Sequence, residues 1–234
     1  MKAFLLAAGL GTRLRPLTNS LPKCLVPIGT TPLLRIWLEL LARHGVSDVL
    51  INTHHLPHKV EEFASTWSGP PKLQLSFEKA LLGSAGTIKR EWDFVAGEPE
   101  FLVCYADNLT DIDLGRLIDI HRYRQALLTM AVFETDRPTE CGIAEMEESG
   151  RVTAFEEKPH HPRSLLANGG IYVMRSDIRT RLLSGSVSDI GFDLLPRCIG
   201  EMYGFLWQGI LIDIGNPSGY TLAQELWCRR QSPV

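Results

Sequence analysis

Short apolar runs alternate with amphipathic stretches from the first residue onward. Lys2 to Ala8 is apolar and ends in small residues, the pattern of a strand covered on both faces. Pro32 to His44 places its apolar residues at helical spacing, begins with proline and stops at Gly45, which predicts a helix. Val46 to Asn52 reads as a second buried strand, Pro57 to Trp67 as a helix, and Lys72 to Phe77 as a third, alternating strand. A helix over Ser84 to Phe94, a strand over Phe101 to Tyr105, a helix over Asp113 to Arg124 and a strand over Leu127 to Phe133 continue the repeat. This is the rhythm of a doubly wound α/β sheet of Rossmann-like type, whose ligands lie beyond the carboxyl ends of the strands.

From about Thr139 the rhythm changes. Short strands are predicted at Gly142 to Met146, Val152 to Glu156 and Gly169 to Met174, then helices near Ser176 to Leu183 and Gly191 to Ile199. Brief strands at Met202 to Leu206 and Ile210 to Asp213 precede a closing helix from Asn216-Pro217 to Arg229. The second half reads as a small α+β subdomain of the same domain.

Chemistry concentrates where strands end. The first strand runs into Ala7-Ala8-Gly9-Leu10-Gly11-Thr12-Arg13-Leu14-Arg15, with Leu21-Pro22-Lys23 close behind. Two glycines allow positive φ and leave no Cβ in the way, so backbone N–H groups of Ala7, Ala8, Gly9, Gly11 and Thr12 can close around an anion. Arg13, Arg15 and Lys23 add three cations, which suits a polyphosphate. The dinucleotide fingerprint fits poorly: Leu14 stands where its third glycine belongs, and Asn52-Thr53 ends the strand where it wants an acid. The P-loop pattern fails outright, since neither glycine is followed by Gly-Lys-Ser/Thr at the required distance. Two aspartates, Asp107 and Asp213, also end apolar runs; a magnesium ion shared with phosphates needs no more than one or two carboxylates.

Composition narrows the classes. A net charge of −3, from 24 basic and 27 acidic side chains, leaves no basic excess for a nucleic-acid surface. The five cysteines lack Cys-x-x-Cys spacing, arguing against a disulfide framework or zinc ribbon and for a reducing, cytoplasmic setting. No stretch has signal-peptide or membrane-spanning character, so no membrane partner is expected. His54-His55-x-x-His58 has metal-like spacing but reads as ordinary loop histidines.

The loop over Ala7 to Lys23 resembles the signature of the sugar-1-phosphate nucleotidyltransferases, the nucleotide-sugar pyrophosphorylases. The likeness extends over roughly residues 1 to 220 with the motifs in the family's order. It implies one GT-A-like catalytic domain over residues 1–234, its nucleotide-binding part over about 1–135 and its sugar-binding part over about 136–234, with no C-terminal β-helix. It further implies that Glu78 and Gly83 line the nucleobase pocket, within Glu78 to Gly86. Asp107 and Asp213 would hold Mg²⁺. In Phe155-Glu156-Glu157-Lys158-Pro159, Glu157 would accept sugar hydroxyls and Lys158 would meet the sugar phosphate, while Gly142 and Asn168 would hydrogen-bond the sugar. Departures from the family pattern, at Ala106, Cys141 and Asn216, remove no charged group.

The chemistry follows independently. A sugar 1-phosphate is already an ionised nucleophile, so attack on an α-phosphorus requires positioning and cations rather than a general base. Arg13, Lys23 and Lys158 are therefore the expected catalytic residues, with a nucleoside triphosphate and a sugar 1-phosphate as partners. Thr53-His54-His55-Leu56 and the compact length resemble the mannose-1-phosphate and manno-heptose-1-phosphate guanylyltransferases, making GTP the expected donor. Uridylyl or thymidylyl transfer to N-acetylmuramate or glucose 1-phosphate stays open, as does a non-catalytic nucleotide-sugar sensor; a homodimer is compatible with each.

Overall fold

The computed structural model describes residues 1–231. In chain order the strands and helices of the first half are β1 (Lys2–Leu6), β2 (Pro27–Ile28), β3 (Thr31–Pro32), α1 (Leu33–Arg43), β4 (Asp48–Thr53), α2 (Pro57–Thr66), β5 (Lys72–Phe77), α3 (Ser84–Arg90), α4 (Trp92–Val95), β6 (Glu100–Tyr105), β7 (Asn108–Thr110) and α5 (Leu114–Arg124). The second half adds β8 (Leu128–Glu134), β9 (Gly142–Met146), β10 (Val152–Glu157), β11 (Leu166–Arg175), α6 (Arg179–Leu183), β12 (Met202–Leu206), β13 (Leu211–Asp213) and α7 (Pro217–Gln231).

These elements form two compact units that interleave along the chain. One holds residues 1–2, 82–104 and 113–208; the other holds residues 3–81, 105–112 and 209 onward.

In the unit that begins at Ala3 the strands run in the order β1-β4-β5, with β4 and β5 parallel and in register from Asp48 opposite Lys72 to Thr53 opposite Phe77. Helix α1 shows why the local sequence folds as it does. Leu33, Leu34, Ile36, Trp37, Leu38, Leu40 and Leu41 are at most 7% exposed, while Arg35, Glu39 and Arg43 recur every four residues on the opposite face. Burial of each large apolar side chain contributes roughly 1.5–3 kcal/mol, which outweighs any weakness in capping. Gly45 takes φ +74 and ends the helix. The Trp37 indole N–H reaches out of the helix to donate to Asn108 O at 2.8 Å, fixing one end of β7.

The unit containing β6 is a mixed sheet. Its strands follow β10-β9-β11-β6, antiparallel throughout, and β8 lies between β11 (antiparallel) and β12 (parallel). The parallel rhythm predicted as far as Phe133 therefore gives way at β8, whose neighbours come from the second half of the chain. The predicted helix over Ser84 to Phe94 is broken at Glu91, letting Trp92 pack edge-on against Phe101 at 5.7 Å. Residues predicted as helix from Gly191 to Ile199 form a π turn (Ile190–Leu194) and a 3-10 turn (Leu195–Cys198), because Pro196 cannot donate an interior helical hydrogen bond. Asp113 caps α5 through its side chain, accepting from Arg116 N at 3.0 Å.

None of the five cysteines is joined in a disulfide, and burial raises the Cys24 thiol to about 12. No described helix is long and apolar enough to cross a membrane.

Candidate functional site

The glycine loop leaves β1 at Leu6 and is pinned from both ends. The Ala7 N–H donates to Asn52 Oδ1 at 2.6 Å, at the carboxyl end of β4. Farther along, Gly11 takes φ +64, and its carbonyl accepts from the Thr18 hydroxyl at 2.7 Å. A Cβ on Gly11 would fall 2.8 Å from the Thr18 methyl, so the turn excludes a side chain twice over, by sterics and by backbone conformation. His55 Nε2 lies 2.8 Å from Thr18 O and braces the same turn. Between these pins Gly9 faces open space and Thr12 is exposed, while Ala8 is only 6% exposed. Loop backbone is thus presented around Gly9 to Thr12, and the Ala7 N–H is already engaged.

Two of the cations, Arg13 and Lys23, converge with the two aspartates. Strands β7 and β13 pair antiparallel with Asp213 opposite Asn108, and the Ile214 N–H donates to Asp107 O at 3.1 Å. This pairing sets the two carboxylates side by side, and Lys23 fills the gap: its Nζ lies 2.7 Å from Asp107 Oδ2 and 3.1 Å from Asp213 Oδ1. The Lys23 side chain is 7% exposed, whereas the aspartates are 39% and 48% exposed. Arg13, 66% exposed, brings Nη2 to 3.7 Å from Asp213 Oδ2. Gly215 makes the cluster possible. Its N–H donates to Asp213 Oδ1 at 2.6 Å, and a Cβ there would come 2.5 Å from Lys23 Nζ and 2.9 Å from Arg13 Nη2.

Glu78, expected near a nucleobase, is 1% exposed. Its Oε1 accepts from Asn52 Nδ2 at 2.9 Å and its carbonyl lies 2.7 Å from His54 Nδ1. His54 and His55 thus serve as hydrogen-bonding struts.

The other unit gathers most of the residues expected to meet sugar. Gly142 opens β9 opposite Glu157 at the end of β10. Glu157 Oε2 occupies the slot above two glycines, since a Cβ would lie 2.3 Å from it at Gly142 and 2.5 Å from it at Gly191. Burial raises the Glu157 carboxyl above the ordinary range, nearby Asp189 adds to this, and Lys158 opposes it. Lys158 is exposed at the turn after β10, with φ +52, and its N–H donates to Cys141 O at 3.0 Å. The Asn168 amide is engaged with its own strand: Oδ1 accepts from Gly170 N at 2.9 Å and the amide exchanges hydrogen bonds with the Tyr172 hydroxyl, inside the β11 register shift. Gly83, at φ +80, lies against Ser188 O, which accepts from the Ala85 and Gly86 N–H groups at 2.9 and 3.0 Å. The first amides of α3 are therefore met by protein.

Asn52, Thr18, His55, Gly215 and Gly191 carry this geometry yet were not among the expected site residues. Two of them carry a sequence signal: Asn52 is a polar residue at the carboxyl end of a buried strand, as Asp107 is, and His55 belongs to the histidine pair that follows it.

One family model, described as nucleotidyl transferase, matches residues 2–229. The chain belongs to the nucleotidyl transferase family. It is 31% identical over 238 residues to the UTP–glucose-1-phosphate uridylyltransferase of Synechocystis, covering 94% of this chain and 61% of that protein. To mannose-1-phosphate guanylyltransferase 1 of Arabidopsis thaliana it is also 31% identical, over 100% of this chain and 67% of the relative. The chain thus spans 61% and 67% of the length of these two relatives. The crystal structure of HddC from Yersinia pseudotuberculosis superimposes with a TM-score of 0.80 at 24% identity, covering 97% of this chain and 99% of that one. Its fold is accordingly the mixed α/β, Rossmann-like fold expected from the sequence.

Proposed function

We propose that this protein transfers a nucleotidyl group from a nucleoside triphosphate to a sugar 1-phosphate, releasing pyrophosphate and an NDP-sugar. The observation that carries the proposal is the cluster of Lys23, Arg13, Asp107 and Asp213 beside the glycine loop. A sugar-phosphate oxygen forms the new bond to the α-phosphorus while the bond to the bridging oxygen of the leaving pyrophosphate breaks. Nothing needs deprotonating, so the protein's task is to hold two anions in line and stabilise the charge that develops. Arg13 and Lys23 are assigned to the triphosphate, with loop amides from Ala8, Gly9, Gly11 and Thr12 around it. Lys158 is assigned to the sugar phosphate, and Glu157, Gly142 and Asn168 to the sugar.

Asp107 and Asp213 fit magnesium. Two partly exposed carboxylates held side by side are the protein share that Mg²⁺ uses when phosphate oxygens and water complete its shell. When bound, the ion would neutralise phosphate charge.

For the substrates, the Arabidopsis thaliana relative named for mannose 1-phosphate and guanylyl transfer supports GTP with mannose 1-phosphate, and a manno-heptose 1-phosphate is the other acceptor that the sequence resemblance allows. The Synechocystis relative supports UTP with glucose 1-phosphate as the second reading. A cytoplasmic setting accords with five cysteines that form no disulfide. The test is pyrophosphate release from GTP, UTP, dTTP, CTP and ATP against a panel of sugar 1-phosphates. Magnesium-dependent release, greatest for GTP with a mannose-type acceptor, is expected; release with UTP and glucose 1-phosphate alone would transfer the assignment to the second reading.

A further inference from the structure

We propose that Asn52, held in orientation by Glu78, is a positioning residue that sets the start of the glycine loop; the inference rests on the nucleotidyl-transfer reading. Asn52 is 4% exposed and Glu78 1% exposed, so neither offers a face to substrate. What they offer is a directed chain of hydrogen bonds. A carboxylate only accepts, so the Asn52 amide turns its NH₂ toward Glu78 Oε1, at 2.9 Å, and must then turn Oδ1 toward the Ala7 N–H, at 2.6 Å. Glu78 is itself fixed, with its N–H donating to Thr53 O at 2.8 Å and its carbonyl 2.7 Å from His54 Nδ1. The carboxyl ends of β4 and β5 are thereby coupled to the residue after β1, where the loop begins.

The consequence for catalysis is geometric. Ala7 N–H is withdrawn from any phosphate, and the direction in which the chain leaves toward Gly9 is fixed by a side chain on a neighbouring strand. Glu78 acts through Asn52 rather than on a base. A displacement of about 1 Å in groups that align reacting atoms can cost about 10²-fold in rate, so a loose loop would be felt in turnover.

Exchanging the two partners tests this. Asn52→Asp keeps an acceptor for Ala7 but sets two carboxylates against each other; Glu78→Gln alone leaves the amide free to face either way. In Asn52→Asp/Glu78→Gln, a carboxylate accepts from Ala7 N–H as before and a glutamine amide donates to it, recreating both bonds with the direction of the second reversed. We expect kcat/KM for the triphosphate to fall about 10²-fold in Asn52→Asp and to recover to within about fivefold of wild type in the double variant. The KM for the sugar phosphate and the preference among nucleobases stay unchanged throughout.

Amide hydrogen exchange at Ala7 in the free protein supplies a readout independent of activity. Protection is retained in wild type and the double variant and falls at least about tenfold in Asn52→Leu. If Asn52→Leu does not fold, the Asp and Gln variants carry the same comparison. A double variant no better than Asn52→Asp, or a changed base preference in Glu78→Gln, would overturn the proposal. A wild-type protein that protects Ala7 but turns over no triphosphate would leave the clamp standing as structure and remove its catalytic role together with the function proposed above.

Discussion

Replacing Lys23 with methionine should strengthen cation binding and sharply reduce turnover at the same time. Lys23 Nζ lies 2.7 Å from Asp107 Oδ2 and 3.1 Å from Asp213 Oδ1, so a divalent cation entering the free protein must first displace the ammonium. A hydrogen bond between charged groups is worth about 1.5–3 kcal/mol net. Losing one such competitor corresponds to about ten- to 150-fold tighter binding. Arg13 cannot take over, because at 3.7 Å and 66% exposure its pairing with Asp213 contributes at most about 1 kcal/mol. Titrating Mn²⁺ into nucleotide-free protein, followed by electron paramagnetic resonance of the unbound ion, reads the affinity directly, with Asp107→Asn as the control that loses it. Turnover in Lys23→Met should fall by about 10²-fold or more, as for other preorganised charge stabilisers. Equal Mn²⁺ affinity in wild type and Lys23→Met would refute the idea that lysine and metal compete for one pair of carboxylates.

Other consequences follow from the same geometry. His121 is 2% exposed and burial lowers it to about 4 from 6.5, with Glu100 opposing the shift; its Nδ1 lies 2.9 Å from the Thr129 hydroxyl. Its folded value is the lower one, so the neutral ring's contribution is present above pH 6.5 and lost as pH falls toward 4, by about 3 kcal/mol at 1.36 per unit; urea melts of wild type and His121→Gln should converge across that window. Glu157 shifts the other way. Its raised carboxyl costs stability as pH rises past the ordinary carboxylate value through the raised one, so Glu157→Gln should melt higher than wild type at pH 7, with the gap closing in acid, while KM for the sugar phosphate rises. Gly215→Ala would push a methyl within 2.5 Å of Lys23 Nζ and 2.6 Å of Asp213 Oδ1, and should lower kcat/KM by at least about tenfold with only a small change in melting temperature.

Local chemistry was legible in the sequence and long-range pairing was not. Gly9, Gly11, Arg13 and Lys23 could be singled out together because glycines and cations after a buried strand suit an anion, and the structure sets Arg13 and Lys23 against the same aspartate. Asp107 and Asp213 could be picked out singly as strand-end acids, yet the β7 and β13 pairing that sets them side by side joins three-residue strands about a hundred residues apart, too short for any periodicity. The limits of α1 came within a residue because its polar stripe is strict. Glu78 was placed by motif, but its burial behind Asn52 depends on which way a strand end turns its side chain. Gly191 could not be read at all, since its importance lies in the volume of Glu157 above it.

The central claim stands or falls on product formation. Incubating the protein with GTP, mannose 1-phosphate and Mg²⁺, and following phosphorus resonances, should show a diphosphate-linked sugar nucleotide and pyrophosphate appearing together, both absent in Asp107→Ala. If neither appeared with any triphosphate and sugar 1-phosphate while a nucleotide sugar still raised the melting temperature, the protein would be a sensor on a transferase fold and the catalytic account would be wrong.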